Sequence, residues 1–407
     1  MNTYVSYLEG AIDGARLDPD RVHTVHKDRP ILVRYDYDAL KRDVYKKNLY
    51  GRYPTIWRYR EMLPVMNEEN IVSLGEGMTP LLRTVRLGEY CDVPDLWIKD
   101  ESQLPTGSFK SRGLCLAVSK AKEFGFKRLA IPSAGNAGGA LAAYVASAGM
   151  EAFIFMPVDT PAVNQIECFL AGAKVFLVNG LITDCGKIVR DGIEPMEWFD
   201  VSTLREPYRI EGKKTMGLEL AEQFAWKLPD VILYPTGGGT GLIGMWKAFG
   251  ELKKLDWLES DTMPRMVSVQ STGCAPIPRA FEKGERFAAP WENAVTCASG
   301  IRVPSAVGDF LILDAIYESD GTAIAVDEHG IVDWMKVGTS LSGIPFCPEA
   351  ASCIGALINL RKLDYIKETD RVVIYNTAAA QKYQEIVHIK LPRLDKDVSV
   401  DWDELKK

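Results

Sequence analysis

A lysine stands between a glycine turn and a predicted helix in Pro105-Thr106-Gly107-Ser108-Phe109-Lys110-Ser111-Arg112-Gly113. The apolar residues Leu114, Val118 and Ala121 follow at helical spacing. They predict a helix over residues 111–124. A lysine held at the positive end of a helix dipole, and partly removed from water, is destabilised as an ammonium ion. The lowered pKa suits a lysine that forms a Schiff base. The alternative is an ordinary solvated lysine at a helix start.

A second glycine-rich turn follows a predicted strand over residues 128–132 and opens a predicted helix over residues 137–148. It reads Ser133-Ala134-Gly135-Asn136-Ala137-Gly138-Gly139. Its backbone N–H groups are suited to bind an anion such as a carboxylate. The side chain of Asn136 offers both a donor and an acceptor. The alternative is a tight turn that uses glycine only for its backbone freedom.

A third turn follows a predicted strand over residues 231–234 and reads Thr236-Gly237-Gly238-Gly239-Thr240-Gly241-Leu242. Three successive glycines before the helix predicted over residues 242–255 form a cradle for a phosphate group. The segment Gly239–Gly244 also satisfies Gly-x-Gly-x-x-Gly, with acidic Glu259 downstream. A nicotinamide-binding or sensing protein is therefore an alternative. A P-loop is excluded because no Gly-Lys-Ser/Thr follows the glycines.

Short apolar strands alternate with helices along most of the chain, which predicts βαβ units with parallel sheets. Two glycine-rich strand-to-helix turns lie about a hundred residues apart, and open α/β sheets bind ligands beyond the carboxyl ends of their strands. We therefore predict two α/β domains that face one cleft. The predicted division is an N-terminal extension (1–72) packing on the large domain, a smaller α/β domain (73–205) with the lysine and asparagine turns, and a larger α/β domain (206–407) with the phosphate-binding turn.

Composition excludes several classes of protein. The 407 residues are 47% hydrophobic and carry a net charge of −7, which predicts a globular chain with a large core and no basic face for nucleic acid. No apolar run approaches the ~18 residues of a membrane span, and Met1–Asp13 lacks the apolar centre of a signal peptide. The eight cysteines are scattered without a CxxC pair. They predict no metal site and a reducing, cytoplasmic location.

An amine nucleophile, an anion-binding turn and a phosphate cradle would together hold one phosphorylated aldehyde. In their order along the chain, the three turns resemble those of the fold-type II (tryptophan synthase β-like) pyridoxal-phosphate enzymes, and within them the threonine synthase group. The resemblance spans about residues 55–385. Flanking segments also match, namely Leu74–Leu81, Lys99–Glu101, Asp159–Pro161, Asn164-Gln165, Glu211–Thr215 and Pro348–Ala351.

The resemblance implies two three-layer αβα domains with mostly parallel sheets, pyridoxal 5'-phosphate as cofactor, and a homodimer, the usual assembly in the family. It also implies that Lys110 carries the cofactor as a Schiff base and acts as the base at the substrate Cα. The implied cofactor contacts are Phe109 beside the ring, Asn136 at the phenolic oxygen, Gly237, Gly238, Gly239 and Thr240 at the phosphate, and Thr377 at the pyridine nitrogen. The implied substrate contacts are Ser133, Ala134 and Gly135 at the carboxylate, with Thr79 lining the same cleft.

The implied reaction converts O-phospho-L-homoserine and water to L-threonine and phosphate. Two departures from the family pattern motivate an alternative. Ser111 stands where threonine synthases commonly have an aspartate, and Ala378-Ala379-Ala380 replaces a segment with two glycines. The alternative is a serine/threonine dehydratase or a β-replacement enzyme that acts on a β-substituted amino acid such as phosphoserine.

Overall fold

The computed structural model describes residues 3–403 and 405, and it arranges the strands in three sheets. The strands are β1 (Val5–Gly10), β2 (Arg16–Leu17), β3 (Ile31–Tyr35), β4 (Leu81–Arg83), β5 (Leu96–Asp100), β6 (Arg128–Pro132), β7 (Glu151–Pro157), β8 (Lys174–Val178), β9 (Phe199–Asp200), β10 (Val231–Pro235), β11 (Arg265–Ser271), β12 (Thr322–Val326) and β13 (Val372–Asn376). The helices are α1 (Tyr37–Asp43), α2 (Val85–Tyr90), α3 (Lys110–Glu123), α4 (Asn136–Ser147), α5 (Ala162–Leu170), α6 (Ile182–Asp191), α7 (Ile193–Met196), α8 (Tyr208–Gln223), α9 (Thr240–Lys254), α10 (Pro276–Glu282), α11 (Asp309–Glu318), α12 (Ile331–Ser342) and α13 (Pro348–Lys362).

Two sheets of parallel strands form the centre of the molecule. The larger has the order β12-β11-β10-β13-β5-β4, and only β4 runs antiparallel to its neighbour. The smaller has the order β8-β7-β6-β9 and is parallel throughout. Strands β10 and β13 are buried along their whole length, as expected for parallel strands covered on both faces. The predicted α/β class with mostly parallel sheets is confirmed.

The predicted N-terminal extension contains a small sheet. Strand β1 pairs antiparallel with both β2 and β3. Helix α8 receives two tyrosine contacts from this segment: the hydroxyl of Tyr35 donates to Glu211 over 2.7 Å, and that of Tyr59 donates to Glu222 over 2.5 Å. Arg58 pairs with the same Glu222 at 2.5 Å. The segment is therefore fixed to α8 by buried polar contacts as well as by apolar packing.

The predicted domain boundary at residue 73 lies too early in the chain. Strands β4 and β5 belong to the larger sheet, where β5 pairs with β13. The chain then leaves this sheet, forms α3 and the smaller sheet, and returns through α8. Strand order along the sequence does not specify which sheet a strand joins, so residues 81–100 were assigned to the wrong domain. We propose that the smaller domain is built around β6 to β9.

A buried ion network positions the start of α3. The guanidinium of Arg112 is fully buried and pairs with Glu101 at 2.6 Å and with Glu219 at 2.7 Å. Lys99 pairs with the same Glu219 at 2.5 Å. These groups come from β5, the turn after it, α3 and α8. Because breaking such a pair leaves an uncompensated buried charge, the network fixes α3 against the larger sheet. None of the described helices is long and apolar enough to cross a membrane.

Candidate active site

A cavity of about 520 Å³ lies where the three predicted turns meet. Its lining contains the lysine that begins α3, the asparagine that begins α4 and the glycine turn that precedes α9. The structure thus brings all eight predicted cofactor contacts together. Those that line the cavity are Phe109, Lys110, Asn136, Gly237, Gly238, Gly239, Thr240 and Thr377.

Lys110 is the first residue of α3, and its backbone is held from α8. The ammonium of Lys213 donates to the carbonyl oxygens of Phe109 and Lys110, over 2.7 and 3.0 Å. Lys213 is fully buried, so it supports the fold beside the lysine turn. Burial, followed by the charge of Arg209, lowers the pKa of Lys110 to about 7, while Glu349 opposes this. A large fraction of Lys110 is therefore a neutral amine near pH 7, the form that attacks an aldehyde.

The glycine turn before α9 has no room for side chains. Gly239 has a φ of +78°, in the left-handed region, and a Cβ there would lie 2.3 Å from the side chain of Ile312. A Cβ at Gly237 would lie 2.7 Å from the carbonyl oxygen of Gly300. The turn also ends at Thr240, the first residue of α9, where backbone N–H groups have no partner within the helix. Such a turn suits a phosphate group.

Arg209 is a cavity residue that the sequence did not reveal. It lies in the first turn of α8 and is 1% exposed, and its Nη1 donates to the carbonyl oxygen of Val201 over 2.7 Å. Its Nε and Nη2 atoms are buried without a hydrogen-bond partner in the described part of the chain. A buried guanidinium without partners is costly, so its free donors call for an anion in the cavity. No local pattern around Arg209 marks it, because its neighbours in space come from other segments.

Two further polar side chains in the cavity have free hydrogen-bonding capacity. The Nδ2 of Asn136 donates to the hydroxyl of Tyr383 over 3.0 Å, while its Oδ1 is buried without a partner among the described residues. Thr377 follows β13, and its hydroxyl lies 3.6 Å from the thiol of Cys347. Both side chains are placed to meet polar atoms of a bound ring.

Thr79 is not among the lining residues, and its role as a substrate contact stays a prediction. Its hydroxyl donates to Glu101 over 2.7 Å, and its backbone N–H donates to Glu219 over 2.6 Å. The buried ion network therefore occupies this side chain. Ser133, Ala134 and Gly135 precede Asn136 but are not among the lining residues. The hydroxyl of Ser133 accepts from the N–H of Gly138 over 2.9 Å, which stabilises the turn, so a substrate role for the three stays a prediction.

A neutral lysine, a phosphate cradle, a free guanidinium and an unpaired amide oxygen fit pyridoxal phosphate, which carries an aldehyde, a phosphate and a ring with polar substituents. The family model described as pyridoxal-phosphate dependent enzyme matches residues 72–378. The chain belongs to this family. Lys110, Asn136 and the glycine turn lie inside the matched range. The nicotinamide alternative drawn from Gly239–Gly244 is therefore not supported.

Within the pyridoxal-phosphate family, two curated relatives are threonine synthases. The protein from Methanocaldococcus jannaschii is 34% identical over 351 residues, covering 86% of each chain. The one from Methanosarcina acetivorans is 35% identical over 377 residues, covering 92% of this chain and 91% of that protein. Among solved structures, maize serine racemase superposes with a TM-score of 0.67 at 20% identity, covering 81% of this chain and 94% of that one. This last likeness shows the fold alone.

Proposed function

We propose that this enzyme is a threonine synthase that converts O-phospho-L-homoserine and water to L-threonine and phosphate. The observation that carries the proposal is an excess of positive charge in the cavity. Four arginines line it beside Lys110, and Glu349 is the one acidic residue among the described lining residues. The cofactor phosphate accounts for one dianion. The remaining cations suit a substrate with a carboxylate and a second phosphate.

The four arginines come from separate segments of the chain, namely Arg190, Arg205, Arg209 and Arg302. Arg302 lies 4.0 Å from Asp159, and the other three form no ion pair within residues 3–403. Guanidinium groups bind phosphate through two parallel hydrogen bonds. Bound in this way, a substrate phosphate is oriented at the far end of the cavity. The same donors stabilise the charge that develops as the bond between Cγ and the phosphate oxygen breaks.

Lys110 supplies the first proton transfer. As a neutral amine it removes the proton from the substrate Cα and later returns it. Bound pyridoxal phosphate withdraws electrons from Cα and so makes that proton acidic. The residues that line the cavity orient the substrate relative to Lys110. A threonine synthase needs each of these functions, and each has a residue in this cavity.

Incubating the holoenzyme with O-phospho-L-homoserine tests the proposal. We expect inorganic phosphate and threonine in equal amounts, measured by a colorimetric phosphate assay and by amino-acid chromatography. Serine, threonine and phosphoserine serve as controls, and we expect little 2-oxo acid from them. The dehydratase alternative is disfavoured, because the curated relatives quoted above are threonine synthases. Absence of phosphate release from phosphohomoserine would refute the assignment.

We also propose a cytoplasmic homodimer. Phe169 and Leu170 on α5 are 74% and 77% exposed, which supports a second copy that covers them. The eight cysteines are free, and all but Cys297 are buried, which supports a reducing compartment. Light scattering on the holoenzyme tests the assembly. A mass near 45.2 kDa, that of one chain, would refute the dimer.

A further inference from the structure

Glu349 is the one acidic residue in the described lining of the cavity. It is the second residue of α13 and is 3% exposed. Its Oε1 accepts from the backbone N–H of Gly300 over 2.7 Å. Its Oε2 is buried without a hydrogen-bond partner among the described residues. A buried carboxyl oxygen without a partner points to a ligand or to a proton that the group carries.

The groups around Glu349 leave it able to exchange a proton. Lys110 lines the same cavity and interacts electrostatically with Glu349, as do the hydroxyl of Tyr383 and the thiols of Cys297 and Cys347. Burial raises the pKa of Glu349. It also raises the pKa values of Tyr383 and of both thiols, which are already above neutrality in water. The phenol and the thiols therefore stay protonated. Glu349 is left as the group that can act both as a base and as an acid.

The proposed reaction needs a second proton carrier. Besides the transfer at Cα, the substrate must lose a proton from Cβ and gain one at Cγ. The titratable side chains in the described lining are Lys110, Glu349, Tyr234, Tyr383 and the four arginines. Arginine does not release protons in proteins, and burial raises the pKa values of Tyr234 and Tyr383 well above neutrality. Lys110 is committed to Cα, so Glu349 is the side chain available for Cβ and Cγ.

We propose that Glu349 carries the proton from Cβ to Cγ, an inference that rests on the proposed threonine synthase activity. The carboxylate takes the Cβ proton, and the electron pair of that C–H bond forms the double bond between Cβ and Cγ. The electron pair of the Cγ–O bond leaves with the phosphate. Protonated Glu349 then gives its proton to Cγ, and the electron pair of the Cβ–Cγ double bond forms the new Cγ–H bond. The pair left at Cα by Lys110 forms a double bond between Cα and Cβ, Glu349 returns to the carboxylate form, and Lys110 returns its proton to Cα when water adds. Water adds its oxygen to Cβ, and the proton that it loses ends on the released phosphate.

The substitution Glu349→Gln separates this role from a structural one, because glutamine still accepts from the N–H of Gly300. We expect the Cα hydrogen to exchange with deuterated solvent at close to the wild-type rate. NMR of recovered phosphohomoserine measures this exchange. Phosphate release at saturating substrate should fall at least about 100-fold. Glu349→Asp should recover part of that loss. The affinity for pyridoxal phosphate, measured by absorbance titration, should match that of the wild type. This control shows that the variant is folded.

Glu206→Gln is the matched control. Glu206 is also a buried carboxyl with an oxygen that has no hydrogen-bond partner among the described residues, and burial raises its pKa to about 7. It does not line the cavity. This variant should release phosphate at nearly the wild-type rate. The inference is overturned if Glu349→Gln releases phosphate like wild type, if it loses Cα exchange and phosphate release together, or if the control loses phosphate release equally. Failure of the wild-type enzyme to release phosphate would instead refute the proposed function.

Discussion

The protonation of Lys110 in the apoenzyme gives the sharpest test of the electrostatics of the cavity. With a pKa of about 7, some nine tenths of Lys110 is a neutral amine at pH 8, against about 0.003 for an ordinary lysine. The difference in reactive amine is roughly 300-fold at that pH. The reactivity of Lys110 should rise about tenfold between pH 6 and pH 8 and then level off. An ordinary lysine would keep rising to above pH 10.

Competitive labelling with acetic anhydride measures this profile. Only the neutral amine reacts, and peptide mass spectrometry reads the extent at each lysine in one sample. Lys27, which is largely exposed, serves as the internal reference. The cavity restricts access and scales the whole curve for Lys110 without moving its midpoint. The midpoint therefore reports the pKa independently of accessibility.

Two substitutions in the cavity should move the midpoint in opposite directions. Arg209→Met removes the positive charge that lowers the pKa of Lys110, so we expect the midpoint to rise by about one pH unit. Glu349→Gln removes the negative charge that raises it, so we expect the midpoint to fall. A wild-type midpoint near that of Lys27, or the same sign of shift in both variants, would contradict this account.

Two further substitutions test the phosphate cradle and the ion network. Gly239→Ala places a methyl group against Ile312 at a positive φ, and we expect a more than tenfold loss of affinity in absorbance titrations with pyridoxal phosphate. Gly250→Ala, inside the helix that follows this turn, has open space and should bind normally. Glu219→Gln deprives buried Arg112 of a charge partner and should lower the free energy of unfolding by about 3–5 kcal/mol in urea titrations. Arg112 lowers the pKa of Glu219 in the folded chain. The free energy of unfolding of the wild type should therefore also fall as the pH drops below the pKa of an ordinary glutamate, and the variant should lose this dependence.

Strand positions could be predicted closely from apolar runs, but one central helix could not. The strand predicted over residues 128–132 coincides with β6. Apolar spacing predicts α8 only over residues 216–226, whereas the helix begins eight residues earlier, at Tyr208. Its first turns carry Arg209, Glu211 and other charged residues, which interrupt the apolar periodicity. In the fold these side chains are buried, so the helix is interior although its sequence looks like a surface segment.

The residues of the candidate site also differ in whether the sequence predicts them. Lys110, Asn136 and Gly239 could be found because each lies in a turn whose local chemistry is readable from adjacent residues. Arg209 and Glu349 could not, because their function depends on neighbours that the fold brings from distant segments. The contacts of Thr79 likewise depend on distant segments. Its hydroxyl has partners in Glu101 and Glu219, and nothing near Thr79 in the sequence indicates the second of them.

One arrangement of charges links the nucleophile to anion binding. Arg209 lowers the pKa of Lys110, and its own Nε and Nη2 have no hydrogen-bond partner among the described residues. An anion that binds beside Arg209 cancels part of its field, so the pKa of Lys110 must rise when the anion binds. By thermodynamic linkage, protonation of Lys110 must tighten anion binding by the same factor. The amine is therefore most nucleophilic while the arginine is unpaired, and it becomes a better proton carrier once the phosphate groups are in place.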